Sequence, residues 1–241
     1  MIGLGTIINT AAIVVGGLIG LLFGKFIPKR VQDAILTVNG IAVIFIGGAG
    51  CISKMLVFED GEFDTQKALL MTLSLVIGTV IGEFINLDKW ITKFGDWLKK
   101  KTHSEKEGGF TGAFVTASCT VCIGAMAVVG AINDGLFADH TILITKAVLD
   151  FVIIMVMSCT LGKGCLFSAI PVFIFQGVFT LLAKLIKPIM TDLALDDLSL
   201  VGSVLIFCVG LNLIREKKIS VANMLPSIVI AVAFAFIPAL N

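Results

Sequence analysis

The sequence predicts an all-α fold, a polytopic transmembrane helical bundle of about eight spans, and three observations predict it. Hydrophobic residues make up 57% of the 241 residues and charged ones 15%, with a mean hydropathy of +1.05. A soluble domain carries about 25% charged residues, because its surface must face water. The apolar residues also gather into runs of about 20, the length a helix needs to cross the hydrocarbon core. Finally, Lys and Arg concentrate in alternate loops, as membrane insertion requires. The formal net charge of +1 attracts no polyanion, so a nucleic-acid partner is not expected.

The spans read, in order, as residues 4–24, 34–57, 68–87, 110–132, 141–161, 164–186, 198–214 and 219–239. Residues 4–24 lack a basic leader and a small-residue cleavage site, so they read as a retained helix. No lipidation signal is visible at either end. The join between the fifth and sixth runs rests only on Gly162, Lys163 and Gly164, so a re-entrant arrangement, and seven spans, is the competing count. The seventh run is short.

Charge orients the chain. With the N-terminus outside, the inner side receives Lys25, Lys29, Arg30, the lysines from Lys89 to Lys106, Lys163, Arg215, Lys217 and Lys218, which is 13 of the 18 Lys and Arg. The outer side receives Lys54, Lys67, Lys146, Lys184 and Lys187, with acidic turns at residues 59–64 and 192–197. Both termini are therefore expected outside. The loop at 88–109 should hold an interfacial helix, since Trp90, Ile91, Phe94, Trp97 and Leu98 recur at helical spacing against a lysine-rich back.

A weak repeat divides the chain further. Gly17 to Leu22 and Pro28 align with Gly177 to Leu182 and Pro188, and Gly40 to Phe45 with Gly202 to Phe207. Apolar sequences produce such matches readily, and coincidence is the competing reading. A true repeat would make residues 1–87 and 164–241 two units of inverted topology, with 88–109 the cytoplasmic interfacial segment and 110–163 a central helix pair. Inverted repeats around a midplane site are the architecture of many secondary transporters.

Polar residues inside the membrane carry the functional reading, because a charge there costs at least a few kcal/mol by insertion scales. Asp150 is the only acidic residue central to a span, and Lys146 lies one turn away on the same face, about 6 Å along the axis. Asp150 is expected to bind a proton or cation, sodium among them, with Lys146 tuning its pKa or replacing the ion. The competing reading is a static ion pair that only fixes packing. Ser118 and Thr120 are expected as neutral oxygen ligands, because hard cations take a carboxylate plus carbonyl and hydroxyl oxygens. Asn9, Asn39, Gln176, Asn212 and Glu83 are pathway-lining candidates, Glu83 with the stronger case for an interfacial place. Gly16, Gly20 and Gly24 form a stripe of small residues for close packing within a protomer or in a homo-oligomer.

Other chemistry is expected to be absent. The six cysteines read as small core residues. Cys119 and Cys122 have CxxC spacing, but neither a second CxxC nor a nearby histidine completes a metal or redox site. No GxSxG elbow or phosphate-binding GxxxxGK[ST] loop occurs, so neither an enzyme, an organic cofactor nor an ATP-driven pump is expected.

Gly5-Thr6-Ile7-Ile8-Asn9, Gly124 to Gly130 followed by Asp134-Gly135, Lys146 to Asp150, Phe167 to Pro171 with Gln176-Gly177, and Gly210-Leu211-Asn212 resemble domain-of-unknown-function family 554 across essentially the whole chain. The resemblance implies a bacterial inner-membrane protein. It carries over no site residues, and members are only loosely described as sodium channels or pumps. The leading expectation is a secondary transporter of a small ion or solute, coupled to sodium or protons through Asp150. The alternatives are an ion channel and a non-transporting membrane scaffold.

Overall fold

The computed structural model describes residues 1–59, 61–104, 108–123, 125–215 and 219–237. Helix α1, Leu4–Gly24, closes four residues before Pro28, and α2, Lys29–Met55, starts directly after that proline, whose fixed φ favours a helix start. α2 runs into a small element not foreseen from the sequence. Leu56–Glu59 (β1) and Glu62–Thr65 (β2) form an antiparallel hairpin around Gly61, with the Phe58 and Phe63 rings 5.1 Å apart.

Helix α3, Ala68–Ile85, ends at Asn86, whose left-handed backbone turns the chain sharply into α4, Leu87–Lys101. The Asn86 side chain accepts the Lys89 N–H and so caps α4. α4 is the expected amphipathic helix. Gly95 and Leu98 are buried and Trp90 and Trp97 exposed, as befits interfacial anchors.

The fourth run does not form one helix. α5, Phe110–Cys122, stops at Ile123, and the chain resumes as α6, Ala125–Phe137, bent by 61°. α7, Thr141–Leu161, ends at Gly162, where φ is 90°. A 3₁₀ segment, Lys163–Ser168, leads into α8, Ala169–Leu181, and the short α9, Ala183–Ile186. α10 spans Asp192–Ile214, six residues longer at its start than hydropathy suggested, because Thr191 Oγ1 caps it by accepting the Ala194 N–H. α11, Val221–Met224, and α12, Pro226–Phe234, follow.

Among the described residues, six helices are long and apolar enough to cross a membrane, or seven if the bent α5–α6 pair is one span. The expected eighth span at 219–239 is not a continuous crossing helix. Pro226 cannot extend α11 and begins a new helix instead. The apolar stretch Val221–Phe234 covers about 21 Å at helical rise, short of the roughly 30 Å core. The join at Gly162 is a reversal between two separate helices, not a break within one span.

Packing directions follow from glycine contacts. Gly5, Gly16, Gly20 and Gly24 meet Leu143, Phe151, Met155 and Cys159, so α1 and α7 run parallel. Gly40 meets Ile214 and Gly47 meets Ser203, so α2 and α10 are antiparallel. Gly78 meets Ser227 and Gly82 meets Asn223, so α3 is antiparallel to α11 and α12. One core cluster joins α1, α5, α7 and α8 through Ile13, Ala117, Ile154 and Val172, and a second joins α3, α10 and α12 through Leu70, Val201, Leu205 and Ala231. α10 is the most enclosed span.

Candidate functional site

The site begins on α7, where an otherwise apolar helix places Lys146 and Asp150 one turn apart. Lys146 Nζ donates to Asp150 Oδ1 at 2.8 Å and Oδ2 at 2.7 Å, with the residues only 7% and 3% exposed. Burying two charges is tolerable only with good geometry and further hydrogen bonds. The further bond comes from α1. Asn9 Nδ2 donates to Asp150 Oδ2 at 3.0 Å. Asn9 reaches Asp150 because the glycine stripe brings the α1 backbone against α7. Asn9 Oδ1 is buried and has no partner.

The adjoining face of α1 meets α8, running antiparallel. Thr6 Oγ1 and Thr180 Oγ1 are 3.4 Å apart, and Gly17 meets Leu166. This register sets Gln176 level with Asn9. Gln176 is 1% exposed, and neither Oε1 nor Nε2 has a partner. An unsatisfied buried amide costs about 1–3 kcal/mol for each group. One layer of the protein thus holds Asn9, Lys146 and Gln176, with three unused amide atoms among them.

The helix break lies at the same depth. α6 runs antiparallel to α7, since Gly130 meets Leu143 and Ile142, while Asp134 meets His140. That register carries the start of α6, at Ala125, toward the turn of α7 that holds Lys146 and Asp150. Cys122, the last residue of α5, is close enough for the charges of both Lys146 and Asp150 to act on it. Helix ends leave backbone groups without intrahelical partners, so a break at this depth adds polar backbone beside the ion pair.

A cavity of about 550 Å³ approaches from the lysine-rich side, lined by Asp88, Thr92, Asp96, Thr111 and Thr116, and it reaches Cys119, one turn from Cys122. Thr111 Oγ1 donates to Asp96 Oδ1 at 2.6 Å. A second, almost wholly apolar crevice of about 550 Å³ lies on the other side of α4 and touches Cys119, Cys122 and Ile123.

The other candidate residues take varied positions. Thr120 Oγ1 donates to the Thr116 carbonyl at 2.8 Å, spending itself on its own helix. Ser118 Oγ has no partner, and Ser118 lines the apolar crevice. Asp150 takes its bonds from Lys146 and Asn9, not from either hydroxyl. Asn212 lines the cavity beside α4, away from the ion-pair layer, and also holds a turn. Its Nδ2 donates to the Ile219 carbonyl and its Oδ1 accepts the Ile219 N–H, both at 2.7 Å. Asn39 is half-buried on α2 with Nδ2 unpartnered, and Glu83 is exposed near the end of α3. Gly16, Gly20 and Gly24 are covered by α7, so this stripe is not available to a second copy.

Two features were missed. Asp134 is fully buried and accepts from the N–H groups of Gly3 and Gly5 at 3.0 Å each, capping α1, with His140 Nδ1 at 2.9 Å. Its only sequence signal is a carboxylate at the end of an apolar run, which a solvated loop shares. Lys67 Nζ donates to Asp197 Oδ1 at 2.7 Å in a second buried pair, beside Lys54 and Asp196. No group of three His, Cys, Asp or Glu residues suited to a metal occurs among the described residues.

The family model described as "Protein of unknown function (DUF554)" matches residues 4–236. The chain belongs to that family. It is 30% identical over 233 residues to the uncharacterized membrane protein YdfK of Bacillus subtilis, covering 97% of this chain and 96% of YdfK. It is also 30% identical over 232 residues to the uncharacterized protein YqgA of Escherichia coli, covering 95% of this chain and 94% of YqgA. No solved structure matches. The chain is thus a multi-pass membrane protein with bacterial relatives, and the lipid bilayer is its setting.

Proposed function

We propose that the protein is a secondary transporter of a small ion or solute, coupled to protons or sodium at Asp150. The observation that carries this reading is the coincidence, at one depth, of the Lys146–Asp150 pair, the open amide valences of Asn9 and Gln176, and the α5–α6 break. Transporter sites are typically built this way, from broken helices whose ends face a midplane site. A scaffold would gain nothing from burying an amide with no partner. The arriving ion or proton competes with the Lys146 ammonium for the Asp150 carboxylate, and Asn9 and Gln176 offer it neutral oxygens.

The antiparallel pairing of α2 with α10, and of α3 with α11–α12, supports the inverted arrangement of the two outer units. Under that arrangement the lysine-rich side faces the cytoplasm, and the Asp88–Asp96 cavity is the inner entrance. The outer side carries the pairs Lys54–Asp196 and Lys67–Asp197, which tie the α2–α3 connection to α10.

The test is ion flux in proteoliposomes under imposed sodium and proton gradients, for the wild type and Asp150→Asn, both first shown to be folded and inserted. Saturable wild-type flux lost in the variant is expected. Flux unchanged by the substitution would remove Asp150 from the mechanism, and unitary currents would identify a channel.

A further inference from the structure

Helix α4 sorts its charges by destination. Asp88, Thr92 and Asp96 recur one turn apart and line the polar cavity on one side of the helix. Lys89, Lys93 and Lys100 share a different stripe, at intervals of four and seven residues, and all three are exposed. Among the described residues none of the three forms an ion pair. Lys93 Nζ stands over the Trp90 ring, 5.3 Å from its centre. The ring face attracts the charge but is no anion, so the ammonium is held in place and keeps N–H groups to donate.

Trp90 also lines the apolar crevice of about 550 Å³ that α4 shares with α5 and α8. Ile174 and Val178 of α8 line it too and are 56% and 45% exposed, so it opens on the outside of the bundle, where the bilayer lies. Its inner wall reaches Cys122 and Ile123 at the helix break. Ser118 is in that wall, only 6% exposed, and its Oγ has no hydrogen-bond partner.

Free ammonium groups beside an apolar crevice that holds one unused hydroxyl match one kind of ligand. A soluble anion would use the lysines and leave the crevice unfilled. A neutral lipid would fill the crevice and leave the lysines unpaired. An anionic head on a long apolar tail uses both, and an ester carbonyl between them gives the Ser118 hydroxyl its acceptor. Lysine clusters on amphipathic helices at the membrane surface attract acidic headgroups for this reason.

We propose that α4 and the crevice beside it form a binding site for an anionic phospholipid, with the headgroup phosphate at Lys89 and Lys93 and one acyl chain in the crevice, directed toward the end of α5. The site stands independently of the transport reading. The lipid joins α4 to α5 and α8, and so fixes the helix that also walls the Asp88–Asp96 cavity.

The test uses the full chain in detergent, titrated with phosphatidylglycerol, phosphatidylcholine or inorganic phosphate. Thermal unfolding and native mass spectrometry read the binding. Phosphatidylglycerol is expected to bind saturably and raise Tm, while phosphatidylcholine and inorganic phosphate do not. The double variant Lys89→Gln with Lys93→Gln should bind phosphatidylglycerol roughly tenfold or more weakly, given the contribution of each lysine near an anionic surface. Ser118→Ala should weaken it less. Lys184→Gln with Lys187→Gln, the same charge change away from α4, should leave it unchanged. Equal binding of the two lipids, or undiminished phosphatidylglycerol binding by the Lys89/Lys93 variant, overturns the proposal. A Tm rise from inorganic phosphate alone reassigns the lysines to a soluble anion and overturns the lipid. If the double variant does not fold, Ile174→Trp, which fills the crevice while keeping both lysines, must displace the lipid for the proposal to survive.

Discussion

Asn9 and Asp150 are 141 residues apart in sequence and joined by one hydrogen bond of 3.0 Å in the interior of the bundle. The bond ties α1 to the helix that carries both buried charges. It also leaves Asn9 Oδ1 turned to no protein partner, one layer with the equally unused amide of Gln176. Stability and ligand binding therefore converge on the same few atoms, and substitutions there separate the two.

Asp150→Leu leaves the Lys146 ammonium buried beside Asn9 without its counter-charge. Breaking one side of a buried pair costs about 3–5 kcal/mol, whereas replacing both partners by apolar groups is often close to neutral. Asp150→Leu combined with Lys146→Met should thus be markedly more stable than Asp150→Leu alone. Asn9→Ala should cost about 1.5–3 kcal/mol, the range for a hydrogen bond to a charged group. Denaturant unfolding in detergent measures all three. A double variant no more stable than the single one would show that the pair does not hold the helices through its charges.

Glycine substitutions test the α1–α7 seam. An alanine Cβ at Gly16 would stand 2.5 Å from the Phe151 carbonyl oxygen, and one at Gly20 would meet the Met155 carbonyl oxygen. Backbone cannot step aside as a flexible side chain can, so the helices must separate. Gly20→Ala should cost about 1–3 kcal/mol or more by overpacking. It should also weaken the Asn9–Asp150 bond, which depends on that separation. Gly177→Ala is the control, because nothing within 4 Å meets its Cβ. There the helix-propensity gain of about 0.5–1 kcal/mol should appear instead.

Hydropathy made the helices legible because the bilayer imposes their length and polarity. Periodicity made Lys146 and Asp150 legible as neighbours. The bonding of the α5 hydroxyls was not legible because a hydroxyl's partner depends on local geometry. Thr120 found its own Thr116 carbonyl one turn back, which no hydropathy count registers. The break after Cys122 was invisible for a related reason, since the residues on both sides are mostly apolar. Pro226 was visible, but averaging over the 219–239 run concealed its effect. Asn9 was read as a separate amide because only the tertiary register of α1 on α7 brings it to Asp150.

A pH prediction comes from the start of α7. Asp139 accepts the Thr141 backbone N–H at 3.0 Å and the Thr141 hydroxyl at 2.7 Å, and these bonds hold its pKa below the ordinary 3.8. A carboxyl group with a depressed folded pKa contributes stability above its unfolded pKa and loses it as pH falls through the folded one. Asp139→Ala should therefore lower Tm at neutral pH. The gap from the wild type should narrow once pH drops below about 3.8. A gap that stays constant down to the acid limit of folding would show that the side chain acts without its charge.

The two ion pairs that join the α2–α3 connection to α10 should respond very differently to loss of a lysine. In Lys67–Asp197 the side chains are 8% and 0% exposed, and Asp197 Oδ2 already lacks a partner. Lys67→Met strands a fully buried carboxylate, at a cost of about 3–5 kcal/mol. In Lys54–Asp196 the side chains are 33% and 46% exposed, so water screens the pair. Lys54→Met should cost about 1 kcal/mol or less. Added salt should weaken the second pair and spare the first, because screening acts on exposed charges. Unfolding midpoints of both variants at low and high salt decide the matter. Equal losses would show that the hairpin between α2 and α3 is held by packing, with neither pair setting its position.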